Sequence, residues 1–209
     1  MLKGVANTDM RGPKGQRTRA AILAEAARLA TVEGLEGLSI GGLADAIGMS
    51  KSGLYAHFGS KVDLQLATIE SARETFIAEV LLPALEAPAG VQRLRAACEA
   101  FLSHIERRVF PGGCFFAAAA AEFGTRPGAV RDAVATQHRD WIELLVRLAR
   151  KAVDLGELPP DVDPVQLSFE LNAVLVAANT AFILHGDAAA FERARTAVRN
   201  RLGPGGDVS

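Results

Sequence analysis

The chain has little of what several protein classes require. Two cysteines, Cys98 and Cys114, occur in 209 residues. That is too few for a disulfide framework and fits a reducing compartment. One Trp and one Tyr leave little for platforms that stack single-stranded bases. No run approaches the roughly 18 consecutive apolar residues of a membrane span. The closest, Ala173–Leu184, is interrupted by Asn179 and Thr180. The start, Met1-Leu2-Lys3-Gly4, lacks the apolar core of a secretory signal. These absences predict a cytoplasmic protein with no membrane partner. An excess of charge of one sign is missing too. The net charge is −1, from 23 basic and 24 acidic side chains. Taken whole, that balance does not suggest a nucleic-acid binder.

Signatures of catalysis are also missing. His57, His104, His138 and His185 show no metal-ligand spacing with one another or with the cysteines. There is no GxSxG, P-loop or GxGxxG pattern. The expectation is therefore no catalytic residue, no metal site and no cofactor. A redox pair of Cys98 and Cys114 would need an approach in space that spacing does not reveal.

What is present is helix. Alanine occurs 38 times and is the best helix former, while alternating β-branched runs are absent. Hydrophobic residues make up 49% of the chain, enough for a substantial core without staples. Ile22, Ala26, Leu29 and Ala30 fall at helical spacing, predicting a first helix over 16–33 that stops at Gly34. Ser39 is a good N-cap for a second helix ending at Gly48. A short third helix runs from Ser50 to Phe58. A fourth spans 61–86, with Pro83 expected to kink or end it. Further helices are predicted over 90–109, 114–123 and 127–155. Asp163-Pro164 then opens another to His185-Gly186, and Asp187 caps a last one to Leu202. The predicted class is all-α.

The second and third predicted helices form a helix-turn-helix. Ala44 is small where two helices cross, and Gly48 supplies the positive φ of the turn. Leu43, Ala44, Ile47 and Leu54 make a miniature core. Lys51, Ser52, Gly53, Tyr55 and His57 are left facing outward, a set suited to a major-groove surface. The stretch Leu43-Ala44-Asp45-Ala46-Ile47-Gly48-Met49-Ser50-Lys51-Ser52-Gly53-Leu54-Tyr55-Ala56-His57-Phe58, followed by Gly59-Ser60-Lys61 and Leu64, is more specific than a bare helix-turn-helix. Over residues 19–61 the chain resembles the DNA-binding domain of the TetR/AcrR family of bacterial transcriptional regulators. The rest resembles the family in helical organisation and in Gly113-Cys114-Phe115-Phe116 at the start of the sixth helix.

The resemblance implies roles. Tyr55 and His57 would contact phosphates, Lys51, Ser52 and Gly53 would face base edges, and Lys61 would grip a phosphate. Ser39 would cap the second helix near the backbone of a double-stranded DNA operator. Gly41-Gly42 departs from the family pattern, in which charged residues are frequent there. The second helix is thereby weakened and offers fewer phosphate contacts. A basic stretch leads into the helix-turn-helix DNA-binding domain, expected over 16–61: residues 1–20 hold Lys3, Arg11, Lys14, Arg17 and Arg19 against Asp9. Residues 1–15 are expected to be a flexible arm, with Arg17 and Arg19 joining it in following phosphates.

Residues 62–204 are expected to form a ligand-binding and dimerisation domain, and 205–209 a disordered tail. The helix over 164–185 is apolar nearly all round from Leu171 and needs cover on every side. A second copy, pairing through the last two helices, would supply it. That matches the four-helix dimer interface implied by the resemblance. Polar interruptions of apolar helices mark a pocket for an unknown small-molecule effector: Ser168, Asn172 and Asn179 share one helix face. His104 lies near Phe101, and His138 near Trp141. Cys114, Phe115 and Phe116 open the sixth helix. Each taken singly is more often a satisfied core or interface group; the set points to a ligand site.

The net charge divides along the chain. Residues 1–61 carry 8 basic and 5 acidic side chains, a net of +3, and residues 62–209 a net of −4. The expected function is a homodimeric repressor released from a palindromic operator by a small, mostly apolar effector. The alternatives are a helical binding protein or enzyme that retains the motif, and a regulator that is constitutive or activating.

Overall fold

The structure, a computed structural model, describes residues 12–203. Among them lie ten α-helices and one π-helical turn, with no strand. Residues 1–11 of the expected arm and the tail 205–209 lie outside the described residues. Where the arm was expected to run to residue 15, helix α1 (Pro13–Glu33) already begins at Pro13.

The next two helices are set by their caps. Ser39 Oγ accepts the Gly42 N–H at 3.0 Å and starts α2 (Ile40–Ile47). Gly48 ends it in the left-handed region at φ 68°, where its N–H reaches the Ala44 and Asp45 carbonyls. Ser50 Oγ accepts the Gly53 N–H at 3.1 Å and starts α3 (Lys51–Phe58). Ile40, Leu43, Ala44, Leu54 and Phe58 turn inward onto Ile22, Ala26 and Ala30 of α1. Fully burying one leucine of this set contributes about 1.5–3 kcal/mol.

A long helical rod joins this unit to the rest. Ser60 caps α4 (Lys61–Phe76). A π-helical turn follows at Ile77–Leu81, and α5 (Leu82–Glu86) completes the rod. Pro83 is the cause to hand. It has no N–H for the carbonyl four residues back, and its ring crowds that carbonyl. The wider turn relieves both, and the Leu82 N–H bonds to the Ile77 carbonyl. The expected kink at Pro83 is thus a change of helical pitch just before it.

The larger unit comprises α6 (Val91–Glu106), α7 (Phe115–Phe123), α8 (Ala129–Asp154), α9 (Pro164–His185) and α10 (Ala189–Leu202). Its core holds Leu94, Phe101, Leu102 and Ile105 from α6, and Leu145 and Leu148 from α8. Leu171 and Leu175 from α9 and Phe191 from α10 complete it. Arg195 of α10 is bracketed by Glu99 and Glu106 of α6 and Glu192 of its own helix, which raises its guanidinium pKa and pins α10 to α6. Helix α9 is long and apolar enough, by length and composition, to cross a membrane. Asn179 and Thr180 interrupt its apolar run without removing its overall apolar character. Here it packs against α6, α8 and α10, leaving a stripe through Phe169, Ala173, Ala177 and Leu184 exposed.

Two apolar cores result, and they do not divide at residue 61. The core around α1–α3 also takes in Leu64, Ile69 and Ala72 of α4, Phe110, Phe115, Ala119 and Phe123, and Val130 and Val134 of α8. Helix α7 lies between the two, and Phe116 packs against both.

Candidate nucleic-acid interface and effector cavity

The outward face of α3 carries Lys51, Ser52 and Tyr55, all exposed, with Tyr55 at 56%. Gly53 and His57 are half-buried, and the His57 ring sits 6.0 Å from that of Phe58. The Ser50 cap keeps the α3 N-terminus, with its partial positive charge, on this face. A tyrosine left this open in a small, well-packed unit forgoes the burial its ring could gain. Arg17 is exposed. Arg19 is differently placed: its guanidinium lies 4.6 Å over the Phe58 ring, bracing α1 against α3.

Lys61 Nζ lies 3.0 Å from Glu36 Oε1. Gln65 Nε2 donates to the Leu35 carbonyl at 2.9 Å and to Glu36 Oε2 at 3.3 Å. Hydrogen bonds from Lys61, then from Gln65, hold the Glu36 carboxyl below its ordinary range. Both Lys61 and Glu36 are exposed, at 44% and 45%, so the pair is worth about 0–1 kcal/mol. A phosphate can compete for Lys61 at that cost.

In the larger unit a small, partly open cavity is walled by Phe76, Phe101, Phe116, Trp141, Ala117 and Val176, with Cys114, Gln137, His138 and Asn172 among its lining. Its aromatic rings interlock. Phe101 and Trp141 stack at 5.7 Å, and Phe76 meets Trp141 edge-on at 5.3 Å and Phe116 at 6.0 Å. Trp141 Nε1 donates to Asn172 Oδ1 at 3.0 Å, tying two of the lining residues together. No carboxylate or guanidinium lines this chamber. A second, open recess shares Phe76, Gln137 and Trp141 with it and adds Arg73, Asp140 and Arg147.

Five of the nine residues proposed for the ligand site come together here: Phe101, Cys114, His138, Trp141 and Asn172. Four do not. The Ser168 hydroxyl donates to the Pro164 carbonyl inside α9. Asn179 Oδ1 accepts the Cys114 N–H at 2.9 Å and fixes the start of α7. Phe115 points into the other core. His104 is 1% exposed, edge-on to Phe76 and Phe110, and off the cavity lining. Desolvation drives its pKa down to about 4. Cys98 and Cys114 are both free thiols, and burial raises both, Cys98 to about 12. Phe76, Ala117, Gln137 and Val176 were missed. Only Phe76 carried a signal, as the lone aromatic of α4.

A reading head on one end and an aromatic chamber in a separate helical unit define a class: one-component, ligand-binding transcriptional regulators. Residues 22–68 match the family model for bacterial regulatory proteins of the tetR family, and residues 90–198 that for the tetracyclin repressor-like C-terminal domain. The chain belongs to the TetR family of bacterial transcriptional regulators. It is 34% identical over 94 residues to the HTH-type transcriptional activator FasR of Mycolicibacterium smegmatis. That match covers 45% of this chain and 42% of the relative, under half its length. A TetR transcriptional regulator from Chloroflexus aurantiacus superposes with a TM-score of 0.84 at 29% identity, covering 90% of this chain and 96% of the other. AibR, solved in complex with isovaleryl coenzyme A and operator DNA, superposes with a TM-score of 0.73 at 26% identity, covering 89% and 99%.

Proposed function

We propose that the protein is a homodimeric repressor that leaves a palindromic operator when a small, mostly apolar effector occupies the aromatic cavity. One observation carries this: Phe76, at the centre of the cavity's rings, and Lys61, beside the DNA-facing helix, are the two ends of the single helix α4. An effector that prefers one position of Phe76 thereby biases the position of Lys61, by as much as its affinities for the two states differ. The uncharged aromatic lining suits the apolar group of such an effector. The acyl thioester seen in AibR supports that chemistry.

In the dimer, two α3 helices would enter successive major grooves about 34–36 Å apart. Selection from a random duplex library should yield a palindrome, bound with a steep fall in affinity as salt rises. Tyr55→Ala should weaken binding across all sequences while leaving thermal stability within about 0.5 kcal/mol, and Lys51→Ala should change the selected sequence. A wild-type chain that enriches no duplex would refute the proposal and favour a binding protein that retains the motif. Because FasR is named an activator, the sign of regulation needs its own measurement. A reporter placed behind the selected palindrome should be silenced; raised expression would make the protein an activator.

A further inference from the structure

We propose that Glu122 is the positioning residue that couples the cavity to the DNA-binding surface, through the turn between α1 and α2. This rests on the reading above that cavity occupancy controls DNA binding.

Consecutive phenylalanines of α7 serve different cores. Phe116, with Ala117 beside it, lines the cavity. Phe115, with Ala119 and Phe123 at helical spacing, is buried in the core beneath α1–α3. Glu122 continues that second face and reaches the α1–α2 turn. Its two carboxylate oxygens accept the Leu35 N–H at 2.8 Å and the Glu36 N–H at 3.0 Å, across more than 85 residues of sequence. The contact is close enough to restrict its neighbour. A Cβ on Gly34, whose φ is +85°, would stand 2.8 Å from Glu122 Oε1.

The same two residues are held from the opposite side by α4. Gln65 donates to the Leu35 carbonyl, and Lys61 pairs with the Glu36 carboxylate. The turn is thus pinned between a cavity-lining helix and the lysine expected to meet phosphate. Leu35 is 1% exposed and its N–H bond to Glu122 is partly buried, so losing the carboxylate costs the turn a hydrogen bond that water replaces only in part. Hydrogen bonds weaken steeply once their alignment is lost. A small rotation of α7, forced by a group entering beside Phe116 and Ala117, therefore loosens the turn and frees Glu36 to shift on Lys61.

The test uses the full chain and the palindrome selected as above. Ala117→Phe places a benzyl group in the chamber and stands for a bound effector. Operator Kd is measured for wild type, Ala117→Phe, Glu122→Gln and the double variant; the glutamine keeps one acceptor but sets an amide donor against the second backbone N–H, which breaks one arm of the clamp. Ala117→Phe should change Kd by about five-fold or more in the wild-type background and by less than about two-fold once Glu122 is glutamine. Amide exchange supplies a second arm: Ala117→Phe should lower protection at Leu35 and Glu36. Equal Kd effects in both backgrounds, no Kd effect in either, or unchanged protection at those two amides would overturn the coupling. Should Ala117→Phe lose its helical circular dichroism, Ala117→Leu repeats both arms. A wild-type chain that selects no duplex refutes the function proposed above, and amide exchange then decides the coupling alone.

Discussion

His104 is held neutral by its surroundings. Its ring is sealed between Phe76 and Phe110, and Nδ1 has no hydrogen-bond partner among the described residues. Its folded pKa of about 4 lies below the ordinary value of 6.5. Between those two values the unfolded chain binds a proton that the folded chain refuses. The resulting stability is present above pH 6.5 and is lost as pH falls toward 4. From pH 7.5 to pH 5 the loss is on the order of 2 kcal/mol. Urea unfolding at the two pH values should show it in the wild type and not in His104→Phe; equal slopes would contradict it. Single residues were the least legible scale. Ser168, Asn172 and Asn179 do share one face of α9. Yet the facing partner differs for each: a carbonyl of its own helix, the Trp141 indole and the start of α7. Periodicity reports a face and is silent about what stands opposite.

The elements were far more legible, because helix ends are written in local chemistry. Ser39, Ser50 and Asp163 each accept an N–H of the turn they start, and Gly48 and Gly186 close helices in the left-handed region. Boundaries moved where the cause lay elsewhere. The helix expected to reach Val109 ends at Glu106, because Arg108 takes φ 52° and lays its guanidinium over the distant Phe182 ring. Pro83 announced a disturbance, but its form as a π-helical turn depends on the wider helix path. The glycine read as weakening α2 is open to replacement. Gly41 lies inside the helix, and a Cβ there would meet only the end of the Lys51 side chain, at 3.5 Å. Gly41→Ala should therefore stabilise the protein by about 0.5–1 kcal/mol, a rise of roughly 1–4 °C in Tm for a chain of this size. Thermal unfolding checks it, and a lower Tm would show that α2 needs the glycine for another reason.

At the scale of the whole molecule, the exposed stripe of α9 is the feature a single chain leaves unfinished. Phe169 is 68% exposed and Leu184 70%. Between them, Ala177, Ala178 and Ala181 of α9 face Ala190, Ala194 and Ala197 of α10 across a shallow groove. Small residues let two backbones approach closely, which suits a symmetric partner. Ala177→Glu should turn a dimer of about 44 kDa into a monomer of 22.0 kDa by light scattering, and should cost palindrome binding more than half-site binding. A dimer unchanged by that substitution would place the interface elsewhere. The charge split at residue 61 was legible, but the packing split was not, because contacts between residues far apart in sequence leave no local mark. This has a practical consequence for hybrid regulators. A reading head cut out at residue 61 would leave behind Leu64, Ile69, Phe115, Phe123 and Val134, which form its floor. Transplanted onto a foreign sensor, it would arrive without its foundation. The portable unit is discontinuous: α1 to α4 together with the inward face of α7 and the start of α8. New effector specificity is better sought by redrawing the chamber walls than by exchanging whole domains.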